Sequence, residues 1–197
     1  MNLFIKQNMN NNDELLALVL KARKLMSAAT PRRYDCGALC SGACCRGDGE
    51  VWLLPYEHLY YTDPEFPYKE FFEVKQYENE DGSVTNSLIC KCDEEIACHD
   101  FRHIRPFWCR IFPLFPRVIP VGYGRFMIKL VMDPRGKRMC PIVAGNERVS
   151  LSFKRNVRFA TGLLCEEKEF ASYFASATEF IDEMERFSER MGFGTQV

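Results

Sequence analysis

Ten cysteines are the residues of this chain whose type and spacing could do chemistry. The first group reads Cys36-x3-Cys40-x3-Cys44-Cys45 and runs straight into Arg46. The second reads Cys90-x-Cys92-x5-Cys98, followed by Arg105-Pro106-x2-Cys109-Arg110-x-Phe112-Pro113. Cys140 stands before Pro141, and Cys165 follows alone. Thiolates are soft donors suited to zinc and iron–sulfur centres. Several must converge on one ion, and close spacing lowers the loop-closure cost of bringing them together. The small residues Gly37, Ala38, Ser41, Gly42 and Ala43 let the backbone turn tightly around such a centre. On a helix, Cys36, Cys40 and Cys44 would share one face. Cys44 and Cys45 are adjacent, so their side chains diverge. One of them then serves a different ion, points to a second group of ligands, or stays a thiol.

Charge sets a further requirement. Four thiolates around Zn²⁺ leave a formal charge near −2, which donors around the site must offset. Arg46, Arg105 and Arg110 stand beside the cysteines and are the candidates for that role. The candidate metal ligands are Cys36, Cys40, Cys44, Cys45, Cys90, Cys92, Cys98, Cys109 and Cys140. Free cysteine is often simply buried, and this competing reading is weakest where the cysteines cluster. It stands even with ligation for Cys140, and Cys165 is expected in the core. His99 and His103, four apart, suit a helical zinc pair less well than surface hydrogen bonding. Glu57 reads as a structural hydrogen-bonder ahead of a general base.

The stretches CGALCSGACCR and CHDFRHIRPFWCRIFP resemble the YkgJ-type cysteine-cluster (CxxCxxCC) family, described as a zinc- or iron-chelating domain. Cys36, Cys40, Cys44, Cys45, Cys98, Arg105, Pro106, Cys109, Arg110, Phe112 and Pro113 match its pattern position by position. Val51-x-Leu53-Leu54-x-x-Glu57 resembles its apolar stretch ending in Glu. Cys98 lies one residue further from Arg-Pro than the family spacing. The single middle cysteine of the family is here the pair Cys90 and Cys92. The resemblance spans about residues 36–113. It implies a zinc or iron cofactor, including an iron–sulfur cluster. The family is distantly similar to flagellin lysine methylases, which keeps open an iron–sulfur enzyme acting on a protein or peptide. A reversible thiol redox sensor is the third alternative.

Composition narrows the classes. The chain has 197 residues, 47% hydrophobic and 13% aromatic, enough for a sizeable core. Its 26 Lys+Arg nearly cancel 27 Asp+Glu, for a net charge of −1, which argues against a general nucleic-acid or anionic-membrane binder. The longest apolar run near the start, residues 15–20, falls far short of the ~20 residues of a membrane span. The Asn-rich opening has no signal-peptide pattern. The expectation is a cytoplasmic protein, where clustered thiols bind metal or do redox chemistry more often than they form structural disulfides. A metal ion, and a protein or peptide, are the expected partners.

The elements that must position these residues are legible in outline. Residues 1–12 read as a flexible tail, and 13–197 as one cysteine-cluster metal-binding domain. Asn12 or Asp13 can cap a helix through Leu15, Leu18, Val19, Ala22, Leu25 and Met26, stopped at Thr30-Pro31. Residues 51–54 suggest a strand closed by Pro55. Asp81-Gly82 and Gly122-Tyr123-Gly124 mark two hairpins. Val149, Phe153, Val157, Ala160 and Leu164 repeat at helical spacing, as do Phe170, Phe174, Ala177, Ile181 and Met184. The aromatic stretch 56–72 and the Arg- and aromatic-rich stretch 101–117 are expected to pack in the core. The predicted class is α+β, with helices at both ends around an irregular cysteine-rich middle with short hairpins.

Overall fold

The computed structural model describes residues 2–32, 42–45, 50–80, 82–91 and 102–191. The fold is mixed helix and sheet. Helix α1 spans Asn2–Leu25. It begins well before Asn12, so residues 2–12, expected as a tail, continue the helix. No Pro or Gly interrupts the segment, and each Asn costs only a fraction of a kcal/mol in a helix. Once the packed turns from Leu15 onward supply a nucleus, propagation backward is inexpensive. Leu15, Val19, Ala22 and Met26 are buried as their spacing predicts.

A three-stranded antiparallel sheet follows, in the order β1-β3-β2. Strand β1 is Val51–Trp52, β2 is Phe72–Glu78 and β3 is Val84–Cys90. The expected strand over 51–54 is shorter because only Leu53 adds a further bond, to the Asn86 carbonyl at 2.9 Å. Pro55 then has no N–H to offer a ladder. Helix α2, His58–Thr62, fills the connection from β1 to β2. The β2–β3 hairpin closes through Gly82 at φ +77, a conformation that favours glycine.

Helix α3, Phe107–Ile111, leads into a second hairpin of β4, Leu114–Gly122, and β5, Arg125–Met132. Tyr123 and Gly124 turn it with φ of 53 and 68, the doubly positive pattern of a type I′ turn. Pro116 and Pro120 are tolerated in β4 because each strand of a two-stranded ribbon keeps an unladdered edge. Helices α4, Pro141–Ala144, α5, Leu151–Leu164, and α6, Lys168–Arg190, complete the chain.

Two apolar clusters result. The larger joins α1, α5 and α6 to the β4–β5 ribbon, with Phe107, Phe115, Phe153, Phe170 and Phe174 fully buried. A buried bond from the Val118 N–H to Thr178 Oγ1, 3.0 Å, ties β4 to α6. The smaller gathers Leu53, Tyr61, Phe66, Phe72, Leu88 and Ile104 under the three-stranded sheet. Stretches 56–72 and 101–117 thus supply much of both clusters, as expected. Ser150 caps α5 by accepting the Phe153 N–H and also donates to the Thr30 carbonyl, joining α5 to the end of α1. Ser150→Ala is expected to cost about 1 kcal/mol, a fall of ~2–4 °C in Tm for a chain of this size. Calorimetry showing an unchanged Tm would remove this cap from the account.

Candidate metal centre

The Arg-Pro-x-x-Cys-Arg segment forms a short buried unit. Arg105 precedes Pro106, whose extended backbone starts α3, and Phe107, Trp108, Arg110 and Ile111 are buried on that helix. Cys109 lies between them, half-buried. What holds this unit is Glu57, fully buried on the turn before α2. One carboxylate oxygen accepts the Phe107 N–H at 2.8 Å, and the other accepts the Leu54 N–H at 3.1 Å. An N–H at the start of a helix is a donor without an intrahelical acceptor, so a carboxylate there satisfies both bonding and dipole. Glu57 is thus a structural hydrogen-bonder, as its sequence setting suggests. Burial pushes its carboxyl above the ordinary range, against the pull of Arg23 and the two N–H groups.

Arg23, from the last turns of α1, faces Glu57 with Nε 3.6 Å from Oε1. Its Nη2 donates to the Ile104 carbonyl at 3.2 Å, while Nε and Nη1 find no hydrogen-bond partner among the described residues. The guanidinium lies over the Tyr60 ring at 4.3 Å and the Tyr61 ring at 5.4 Å. Arg110 donates from Nε to the Arg105 carbonyl at 2.7 Å and from Nη1 to the Arg23 carbonyl at 3.0 Å. It also reaches Ser27 Oγ and the His103 carbonyl. Arg110 therefore binds α3 to the C-terminal turn of α1, where a cation is favoured.

Arg23, Arg105 and Arg110 are all buried, and Glu57 is buried facing Arg23. Burial and the neighbouring Arg23 lower the Arg110 pKa to about 10. The Tyr61 hydroxyl donates to the Ile104 carbonyl at 2.7 Å.

The other candidate cysteines fall in different places. Cys90 ends β3 opposite Phe72 and packs half-buried against the cluster holding Tyr61 and Ile104. Cys44 is exposed on the 3-10 turn Ala43–Cys45, which also carries the Cys45 backbone. Cys140 sits before α4, buried in the larger core. Cys165 is buried as expected, and burial pushes its thiol up to about 12. Cys36, Cys40, Cys92, Cys98 and Arg46 lie outside the described residues, as does His99. His103 is exposed, its ring edge-on to Tyr68. Among the described residues no three His, Cys, Asp or Glu side chains converge as a metal site. None of their helices is long and apolar enough to cross a membrane.

Arg23 is the member of this centre that the sequence reading missed. Its signal was present: it falls four residues after Val19 and three before Met26, on the buried stripe of α1. No family model, curated protein or solved structure matches the chain.

Proposed function

We propose that the chain is a metal-binding cysteine-cluster protein, its zinc or iron largely structural. The observation that carries this reading is half-buried Cys109 on a short unit whose Arg105 and Arg110 are both buried. Arg23, Arg105 and Arg110 bring three buried guanidinium groups to this part of the fold. Nearby cations favour the charged form of a thiol, so an anionic thiolate centre suits this setting. The donor chemistry fits: Cys109 is half-buried next to Arg110, and Cys90 packs half-buried against the cluster of Tyr61 and Phe72. Cys36, Cys40, Cys44, Cys45 and Cys98, with Cys90 or Cys92, would complete the ligands, and Arg46, Arg105 and Arg110 would offset the charge. Cys140 is the remaining candidate, and its place in the larger core favours plain burial.

A closed thiolate site supplies a cross-link between distant segments and leaves no position open for substrate. Its role is then to organise a loop-rich surface that a protein or peptide partner reads, in the cytoplasm. Protein purified without air should contain stoichiometric zinc or iron by elemental analysis. A colourless zinc protein supports a structural role. Brown protein with acid-labile sulfide favours an iron–sulfur centre, with one iron open to substrate if a ligand is missing. Folded, metal-free protein whose thiols all react would end the metal reading in favour of a redox sensor.

A further inference from the structure

The three-stranded sheet and α6 enclose a groove of about 780 Å³, within the ~300–1,000 Å³ of small-ligand sites. Its walls include Trp52 from β1, Tyr56 from the turn that follows, and Tyr173 and Phe180 from α6. Trp52 and Phe180 meet edge to face with centroids 4.9 Å apart. Among the described residues Glu169, in the first turn of α6, is the one carboxylate in the lining, and no lysine or arginine joins it. Tyr56 Oη donates to Glu169 Oε2 at 2.9 Å, which orients the carboxylate over the aromatic walls.

Tyr56 is held at φ +64, a left-handed conformation that bulky side chains rarely adopt. The next residue is Glu57, anchored by two N–H groups and Arg23, and this anchor fixes the turn that aims Tyr56 at Glu169. His58 also lines the groove with a buried Nδ1 that has no partner among the described residues. Burial lowers its pKa, so it adds no positive charge at neutral pH. Two cations beside wall residues have carboxylate partners. Arg135, 5.4 Å from the Trp52 centroid, is held by both Asp133 oxygens, and Lys75 by Glu50.

We infer that this groove binds an alkylammonium group, with aromatic faces around the cation and Glu169 as its counter-charge. The ring quadrupoles attract a cation at their faces. A neutral apolar ligand would gain nothing from Glu169, and an anion would meet one negative charge and no positive one. The ammonium could come from a free amine or from a lysine side chain of a peptide. Phe180 continues along α6 into the exposed Phe187 and Met191, spaced at seven and eleven residues, an apolar footing beside the groove. This inference is independent of the metal reading.

The test is calorimetric titration of the full chain, as purified, using n-hexylammonium chloride against hexan-1-ol at constant salt. The ammonium is expected to bind at least tenfold tighter than the alcohol. Glu169→Gln, at an exposed position, should abolish that preference. Phe180→Leu, which keeps apolar bulk but removes the ring, should weaken the ammonium several-fold more than the alcohol. Equal binding of the two probes, no binding of the ammonium, or an unchanged preference in Glu169→Gln would overturn the inference. Nα-acetyl-lysine amide and a short lysine peptide with flanking leucines separate the sources. A peptide at least tenfold tighter than hexylammonium assigns the site to a protein side chain, and equal affinity assigns it to a free amine.

Discussion

Glu57→Ala is expected to remove about 3–5 kcal/mol of folding stability, the cost of breaking a buried charge pair from one side. Its carboxylate bonds the Leu54 and Phe107 N–H groups and faces Arg23, so three segments lose a common partner at once. Arg23 and Arg110 would then share a buried space with no carboxylate paired to them among the described residues. Against the ~5–15 kcal/mol that holds an ordinary domain together, such a loss is large. Glu57→Gln should fall between the two, since it keeps one acceptor but turns an amide N–H toward a backbone N–H.

The same residue predicts a pH dependence. Burial raises the Glu57 pKa above 4.5 in the folded chain. A group of this kind contributes stability in full below its unfolded pKa and loses it as pH rises through the folded pKa. The advantage of wild type over Glu57→Gln should therefore shrink as pH rises from about 4.5. Urea denaturation of both proteins at stepped pH measures it. A constant difference across that window, or Glu57→Ala as stable as wild type, would remove Glu57 from the centre of the fold.

Cys109→Ala and Cys40→Ala are each expected to lower metal content and Tm together. Metal binding and folding are coupled, and structural zinc in small modules contributes an apparent ~10–16 kcal/mol. Losing one thiolate of a closed site should therefore forfeit several kcal/mol. Cys165→Ala is the control: its thiol is buried, with burial alone holding it protonated, so metal content should stay unchanged. Elemental analysis and thermal unfolding of the three variants decide the matter. Unchanged metal in both ligand variants would contradict the assignment, and loss in the Cys165 variant would point to general unfolding.

Local pattern was enough to find the long elements. The stripes of α1, α5 and α6 and both hairpins could be read from periodicity and turn residues, because those signals act within a few positions. The backward extension of α1 was hidden because its Asn residues suggest competing local bonds, whereas helix propagation depends on turns further along. The cysteine and arginine spacing was equally open to reading. It led to Arg105 and Arg110, which are both buried around α3.

By itself the sequence determined which side chains are chemically capable and which faces of the helices must be buried. Only the tertiary structure decided that Arg23 and Glu57 meet, and that Arg110 reaches a carbonyl 87 positions away. It likewise brought Trp52 and Tyr56 opposite Glu169 and Phe180 to make a groove. Periodicity reports which way a side chain faces relative to its own element. Which charge it meets across the core depends on how separate elements pack, and no short-range pattern carries that information.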